Sequence, residues 1–92
     1  MLSITPVDLG KVDPLNVDKE ILRLGAIAEL DAISLYEQLA AKAEDNKIKE
    51  VLLDVAKEEK THFGEFQTLL LQLDGEQVTE LEKGRAEVEA LD

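Results

Sequence analysis

The sequence predicts an all-α protein, an antiparallel two-helix hairpin followed by a shorter C-terminal helix, with two copies pairing into a four-helix bundle. Three observations carry this. Apolar residues are 45% of the 92, yet aromatics are only 3%, so the apolar content is mainly Ala, Leu, Val and Ile, a mix that favours helices. The two prolines, Pro6 and Pro14, both fall near the start, and nothing after them removes a helical hydrogen bond. Apolar residues then recur at alternating steps of three and four, the helical period.

Each element follows from local signals. Residues 1–13 are irregular, punctuated by Pro6 and Gly10. Asp13 before Pro14 reads as an N-cap with proline at the first helical position, which opens helix 1 over 14–44. Only Gly25 interrupts it, and one glycine costs little. Asp45-Asn46 is a tight connection, and helix 2 runs over 47–73. Asp74-Gly75 ends it, with Asp74 capping the third helix and Gln77 three residues on as capping partner. Helix 3, over 76–90, carries apolar Val78, Leu81, Val88 and Leu91. The chain, 1–92, is one domain. It stops at Asp92 without a stop signal, which reads as a truncated chain or one domain of a longer one.

Two helices joined by a short turn lie antiparallel. A hairpin of this size cannot bury both its apolar faces alone, so a second hairpin is expected to cover them. The composition also excludes. There is no cysteine, hence no disulfide, zinc ribbon, iron–sulfur cluster or thiol chemistry. The net charge is −11, with 21 acidic against 10 basic side chains. That argues against nucleic acid and makes a cation a plausible partner, beside the plainer reading that acidity only keeps the protein soluble. No leader peptide and no run near the roughly 18 apolar residues of a membrane span is visible, so a soluble intracellular protein without membrane contact is expected.

Polar residues on the apolar stripes point to function. Helix 2 carries Leu52, Val55, Glu59, His62, Phe66, Leu69 and Leu73 at heptad-type spacing. Helix 1 carries Leu22, Gly25, Glu29, Ala32, Tyr36, Leu39 and Ala43 in the same way. Burying an ionised carboxylate without a partner costs several kcal/mol or more, and the stripes hold almost no basic residue. A metal ion is the economical compensation. Glu59 and His62, three apart, point the same way and can ligate one ion. Carboxylate oxygen with imidazole nitrogen suits iron or manganese. One chain supplies one isolated glutamate and one Glu-x-x-His pair, half of what a di-iron carboxylate site needs. Two chains about a two-fold axis supply the whole. Tyr36, two turns after Glu29, falls beside the site.

Each residue also has a plainer reading. A Glu-x-x-His pair arises by chance on many helices; Glu29 alone suits a solvated bundle end, and Tyr36 alone suits packing. Together, on the right stripes, the three ligand candidates favour metal. Glu58, four before His62, is a rival to Glu59, which is preferred because it lies on the stripe. Glu65 falls on the stripe's flank, as a support to the ligands. Asp31, Glu37 and Glu44 read as solvated surface, with Asp31 also a candidate for a cation access site.

The stretch Ala28-Glu29-Leu30-Asp31-Ala32-Ile33-Ser34-Leu35-Tyr36 and the later Glu58-Glu59-Lys60-Thr61-His62 resemble encapsulated ferritins, short ferritin-like proteins housed in encapsulin nanocompartments. The likeness covers about residues 15 to 90 and is strongest to archaeal versions, where such a domain can be fused to the front of the shell protein. It implies a ferritin-like four-helix bundle and a ferroxidase that converts Fe(II) to Fe(III) at a di-iron centre between two chains. By position it implies Glu29, Glu59 and His62 as ligands from each partner, with Tyr36 beside them as a catalytic residue. It further implies a homodimer within a decameric ring of five dimers, working in the cytoplasm inside an encapsulin shell that stores the mineral. Iron is the expected metal, with calcium a candidate at secondary sites. Asp31 matches one acidic position of the family's access site, but Ala28 stands where another member has glutamate, and Leu35 replaces a bulky aromatic of some members. The alternatives are a rubrerythrin-like peroxidase, in which peroxide is the oxidant, and a non-enzymatic assembly module stapled by zinc or calcium.

Overall fold

A computed structural model describes residues 7–92. Of the expected irregular segment, residues 1–6 lie outside the described residues. The rest is helical, with no strand among the described residues. A 3-10 turn, Leu9–Lys11, is followed by α1 (Val17–Lys42), α2 (Asn46–Leu73) and α3 (Gly75–Glu89).

The helix ends follow from short acidic side chains. Asp8 Oδ1 accepts from Gly10 N at 3.0 Å and opens the 3-10 turn. Asp13 accepts from Leu15 N at 2.9 Å, and Asn16 N donates to the Asp13 carbonyl at 2.8 Å. Asp13–Asn16 is therefore a closed turn, and α1 begins at Val17, three residues after Pro14. The φ that proline fixes serves a turn as well as a first helical position. Asp45 caps α2 by accepting from Lys47 N and Ile48 N at 2.9 and 3.1 Å, which makes the α1–α2 connection short.

Asp74 alone separates α2 from α3 and holds both to α1. Its Oδ1 accepts from Gln77 N at 3.1 Å, and its Oδ2 accepts from Arg23 Nη2 at 3.0 Å. Arg23 Nη1 donates to Glu20 at 2.9 Å. The Gln77 N–H holds the Asp74 carboxyl below its ordinary 3.8 against the opposing effect of burial, and the charges of Lys19 and Arg23 and the Arg23 hydrogen bond add to the lowering.

α1 and α2 form the antiparallel hairpin. Its buried residues among those described, Ala40, Ala56 and Leu70, lie one step around from the stripe residues Leu39, Val55 and Leu69. The seam thus runs along one edge of the expected stripe, whose Gly25 and Phe66, and Glu29 and His62, still meet across it. Small side chains at the seam let the helices approach, while the stripe opens to one side. Leu39, Leu69 and Leu73 on the stripe stay exposed. The exposed area is 7112 Å², against about 5300 Å² for a compact monomer of this mass. The radius of gyration is 16.4 Å, against about 12 Å for a compact domain. The 20 Å thickness is about two helices. This is a folded hairpin with its apolar side uncovered, and no helix of the described residues is long and apolar enough to cross a membrane.

Candidate metal centre

The stripe brings three ligand candidates together at mid-hairpin. Glu29 stands on α1 and Glu59 and His62 on α2, one turn apart on one face. Antiparallel register puts Glu29 opposite His62. Nδ1 of His62 lies 3.7 Å from Glu29 Oε2 and 3.5 Å from Glu59 Oε2. One ligand atom from each of the three falls within 4.8 Å of the others. Donors about 2.1 Å from a shared ion are up to about 4.2 Å apart, so small side-chain rotations close the set.

Burial separates this cluster from a fully solvated acidic patch. Among the described residues no basic side chain other than His62 pairs with Glu29 or Glu59. The Glu29 and Glu59 side chains are 17% and 19% exposed, and Glu29 Oε2 is buried and accepts no hydrogen bond. A buried carboxylate oxygen left in that state is costly unless a positive charge meets it. Two carboxylates and an imidazole are the donor chemistry of a first-row divalent ion, so the residues present fit such a metal. His62 is 46% exposed and opens to the uncovered side of the hairpin.

A pocket of about 260 Å³ adjoins the cluster, lined by Ala28, Glu29, Ala32, Leu35, Tyr36 and Glu59. Tyr36 therefore shares a cavity with two ligand candidates. Glu58 and Glu65 are exposed and outside the cluster. Asp31 is half-buried and also outside it. Lys60 pairs with Glu37 across the hairpin at 3.1 Å, on its outer surface. The pocket's apolar wall is Ala28, Ala32 and Leu35, which follow the helical period of Glu29 and Tyr36. The Arg23–Asp74 tie joins residues 51 apart and had no signal in spacing.

The comparisons with known proteins give the family. The profile of the rubrerythrin family matches residues 20–91. A ferritin-like–encapsulin shell fusion protein of Pyrococcus furiosus is 56% identical over 93 residues, which cover 99% of this chain and 27% of the fusion protein. The chain thus spans about a quarter of that relative's length. The crystal structure of the encapsulated ferritin domain from Pyrococcus furiosus superposes with a TM-score of 0.85 at 55% identity, covering 99% of this chain and 95% of that one. The all-helical fold, the match along nearly the whole chain and the level of identity establish that this chain belongs to the rubrerythrin family and, within it, to the encapsulated ferritins of archaeal type.

Proposed function

We propose that the chain is a ferroxidase that oxidises Fe(II) to Fe(III) at a di-iron carboxylate site shared by two copies. The observation that carries this is the Glu29–Glu59–His62 cluster at the uncovered apolar side of the hairpin, with Glu29 Oε2 buried and accepting no hydrogen bond. Glu59 and His62 of each copy would hold one ferrous ion, with the Glu29 carboxylate beside them adding its charge. The carboxylates lower the cost of the ferric charge in a site of low dielectric. Two ferrous ions give one electron each, and dioxygen with two protons leaves as hydrogen peroxide. Tyr36 borders the same pocket and is placed to hydrogen-bond a ligand. Asp31 is proposed on the path by which the acidic surface, at net −11, draws cations in.

The pairing of two hairpins follows from the same surface. Each copy presents the stripe that the other needs, and a two-fold axis doubles three ligands into six. A decameric ring of such dimers, the encapsulin shell as partner, a cytoplasmic compartment as location, and calcium at secondary sites belong to this proposal. Of these, the shell partner is supported by the relative in which a ferritin-like domain and a shell domain share one chain.

A second reading has one observation in its favour, the match to the rubrerythrin profile. In it the same site reduces peroxide with electrons from Fe(II). Without cysteine the chain has no thiolate-held electron-transfer centre to recharge the site. Adding Fe(II) under air, and separately Fe(II) with peroxide under nitrogen, tests both. Ferric absorbance appearing rapidly with oxygen alone supports the ferroxidase. Rapid oxidation with peroxide alone supports the second reading. Zn(II) tightening the dimer with no iron oxidation under either condition would leave a metal-stapled assembly module.

A further inference from the structure

We infer that Gly25 and Phe66 form a spacer that fixes the separation of α1 and α2 beside the metal centre, and that Phe66 is thereby a positioning residue for the ligand set. This rests on the metal-binding reading above. A Cβ placed on Gly25 would lie 3.3 Å from three carbons of the Phe66 ring, Cδ1, Cε1 and Cε2. Equal distances to carbons on both sides of the ring mean that its face lies flat over the glycine backbone. Carbon atoms pack best about 3.5–4.0 Å apart, so a methyl group there would push the helices apart by a few tenths of an ångström.

The register places this contact next to the site. Gly25 is one turn before Glu29 on the same face of α1, and Phe66 is one turn after His62 on the same face of α2. Because the helices are antiparallel, one step along the hairpin leads from the ring-on-glycine contact to the Glu29–His62 contact at 3.7 Å. The separation set by the first is therefore inherited by the second. A ligand set has to be held within about 0.5 Å of its working geometry, and a shift of a few tenths of an ångström from a methyl on Gly25 uses up most of that margin.

Gly64 gives the contrast. It also lies inside a helix, two residues from His62, yet a Cβ there would meet nothing within 4 Å. Glycine inside a helix is less favourable than alanine. At Gly64 no contact in this chain requires the exception. At Gly25 the Phe66 ring does.

The test is binding of Co(II), read by its visible absorption and by calorimetry, in the full chain and in Gly25→Ala, Phe66→Leu, Gly25→Ala/Phe66→Leu and Gly64→Ala. Helix content and oligomeric state are followed in each. Gly25→Ala and Phe66→Leu are expected to weaken Co(II) binding about tenfold or more and to shift its spectrum. The first overfills the contact and the second underfills it. In the double variant each change compensates the other, and affinity is expected to return to within about twofold of wild type. Gly64→Ala should bind as wild type does. A purely structural role would lower stability without a spectral shift and without rescue. Wild-type affinity in Gly25→Ala, or a double variant no better than the singles, would overturn the inference while leaving the metal site standing. If Gly25→Ala does not assemble, the double variant decides: wild-type affinity supports the spacer, and weakened affinity overturns it. A wild-type chain that binds no Co(II) would remove the metal reading and the inference with it.

Discussion

The α1–α2 hairpin and α3 are both helical and contiguous, but they are held in different ways. The hairpin has a seam of small and apolar residues, Ala40, Ala56 and Leu70, a ring packed on Gly25, and ligand candidates facing each other across the seam's open edge. α3 buries no residue. It is joined to α2 through Asp74 alone and tied to α1 by Arg23. Its own surface is braced by Arg85, which donates to Glu82 and to Glu89, pairs that add little on an exposed helix. Val88 and Leu91 at its end are 68% and 75% exposed. The hairpin is built to hold a geometry, while α3 is built to be covered. The proposed metal chemistry belongs to the first and is expected to survive changes to the second.

The largest expected effect is on the hairpin. His62→Ala and Glu59→Ala should each lower Fe(II) oxidation by about a hundredfold or more, since each removes a ligand rather than its support. Glu29→Gln sharpens the comparison because activity and stability should part. Oxidation falls, yet the metal-free chain gains about 1 kcal/mol in denaturant melts, because a neutral amide replaces a largely buried carboxylate. Equal loss of both would mean that Glu29 is a structural residue.

Metal linkage comes next. Co(II) at a hundredfold excess over its Kd adds about 2.7 kcal/mol and should raise Tm by roughly 10 °C. A chelator should reverse the shift, and His62→Ala should abolish it. An equal rise in the His62 variant would place the stabilising metal elsewhere.

A smaller effect is expected at the junction. The Asp74 carboxyl is held below 3.8 in the folded chain. Its contribution is therefore fully present above that ordinary value and is lost as pH falls through the lower, folded value. Amide protection in α3, relative to the unfolded chain at the same pH, should fall as the pH drops below about 4, whereas Asp74→Asn should show low protection in α3 at pH 7 already. Co(II) affinity in the hairpin should hardly change. Linked loss of metal binding would break the division between the two regions. The smallest effect is at Lys60. Its pair with Glu37 is exposed, so Lys60→Ala should cost at most about 1 kcal/mol and leave iron oxidation intact.

Much of this was legible in the sequence because the site interrupts a periodic pattern. Glu29, Glu59 and His62 sit where the three-four alternation calls for apolar side chains, and the antiparallel turn that brings them together is marked by Asp45 and its cap. The start of α1 was less legible, since Asp13-Pro14 satisfies the rules of a turn and of a helix alike. The seam was not legible either. Ala40 and Ala56 are buried by the rotation of each helix about its axis, and a stripe that serves two interfaces does not say which lies within the chain. Phe66 over Gly25 is a contact between residues 41 apart, invisible until the register is known.

The most direct test of the central claim is a single-turnover mixing experiment, with ferrous ion added anaerobically at one per chain and then exposed to oxygen. The account predicts a fast ferric signal from all the bound iron, one dioxygen consumed for every two irons, and neither in His62→Ala at unchanged oligomeric state. No fast phase in wild type, or the same fast phase in His62→Ala, would contradict it.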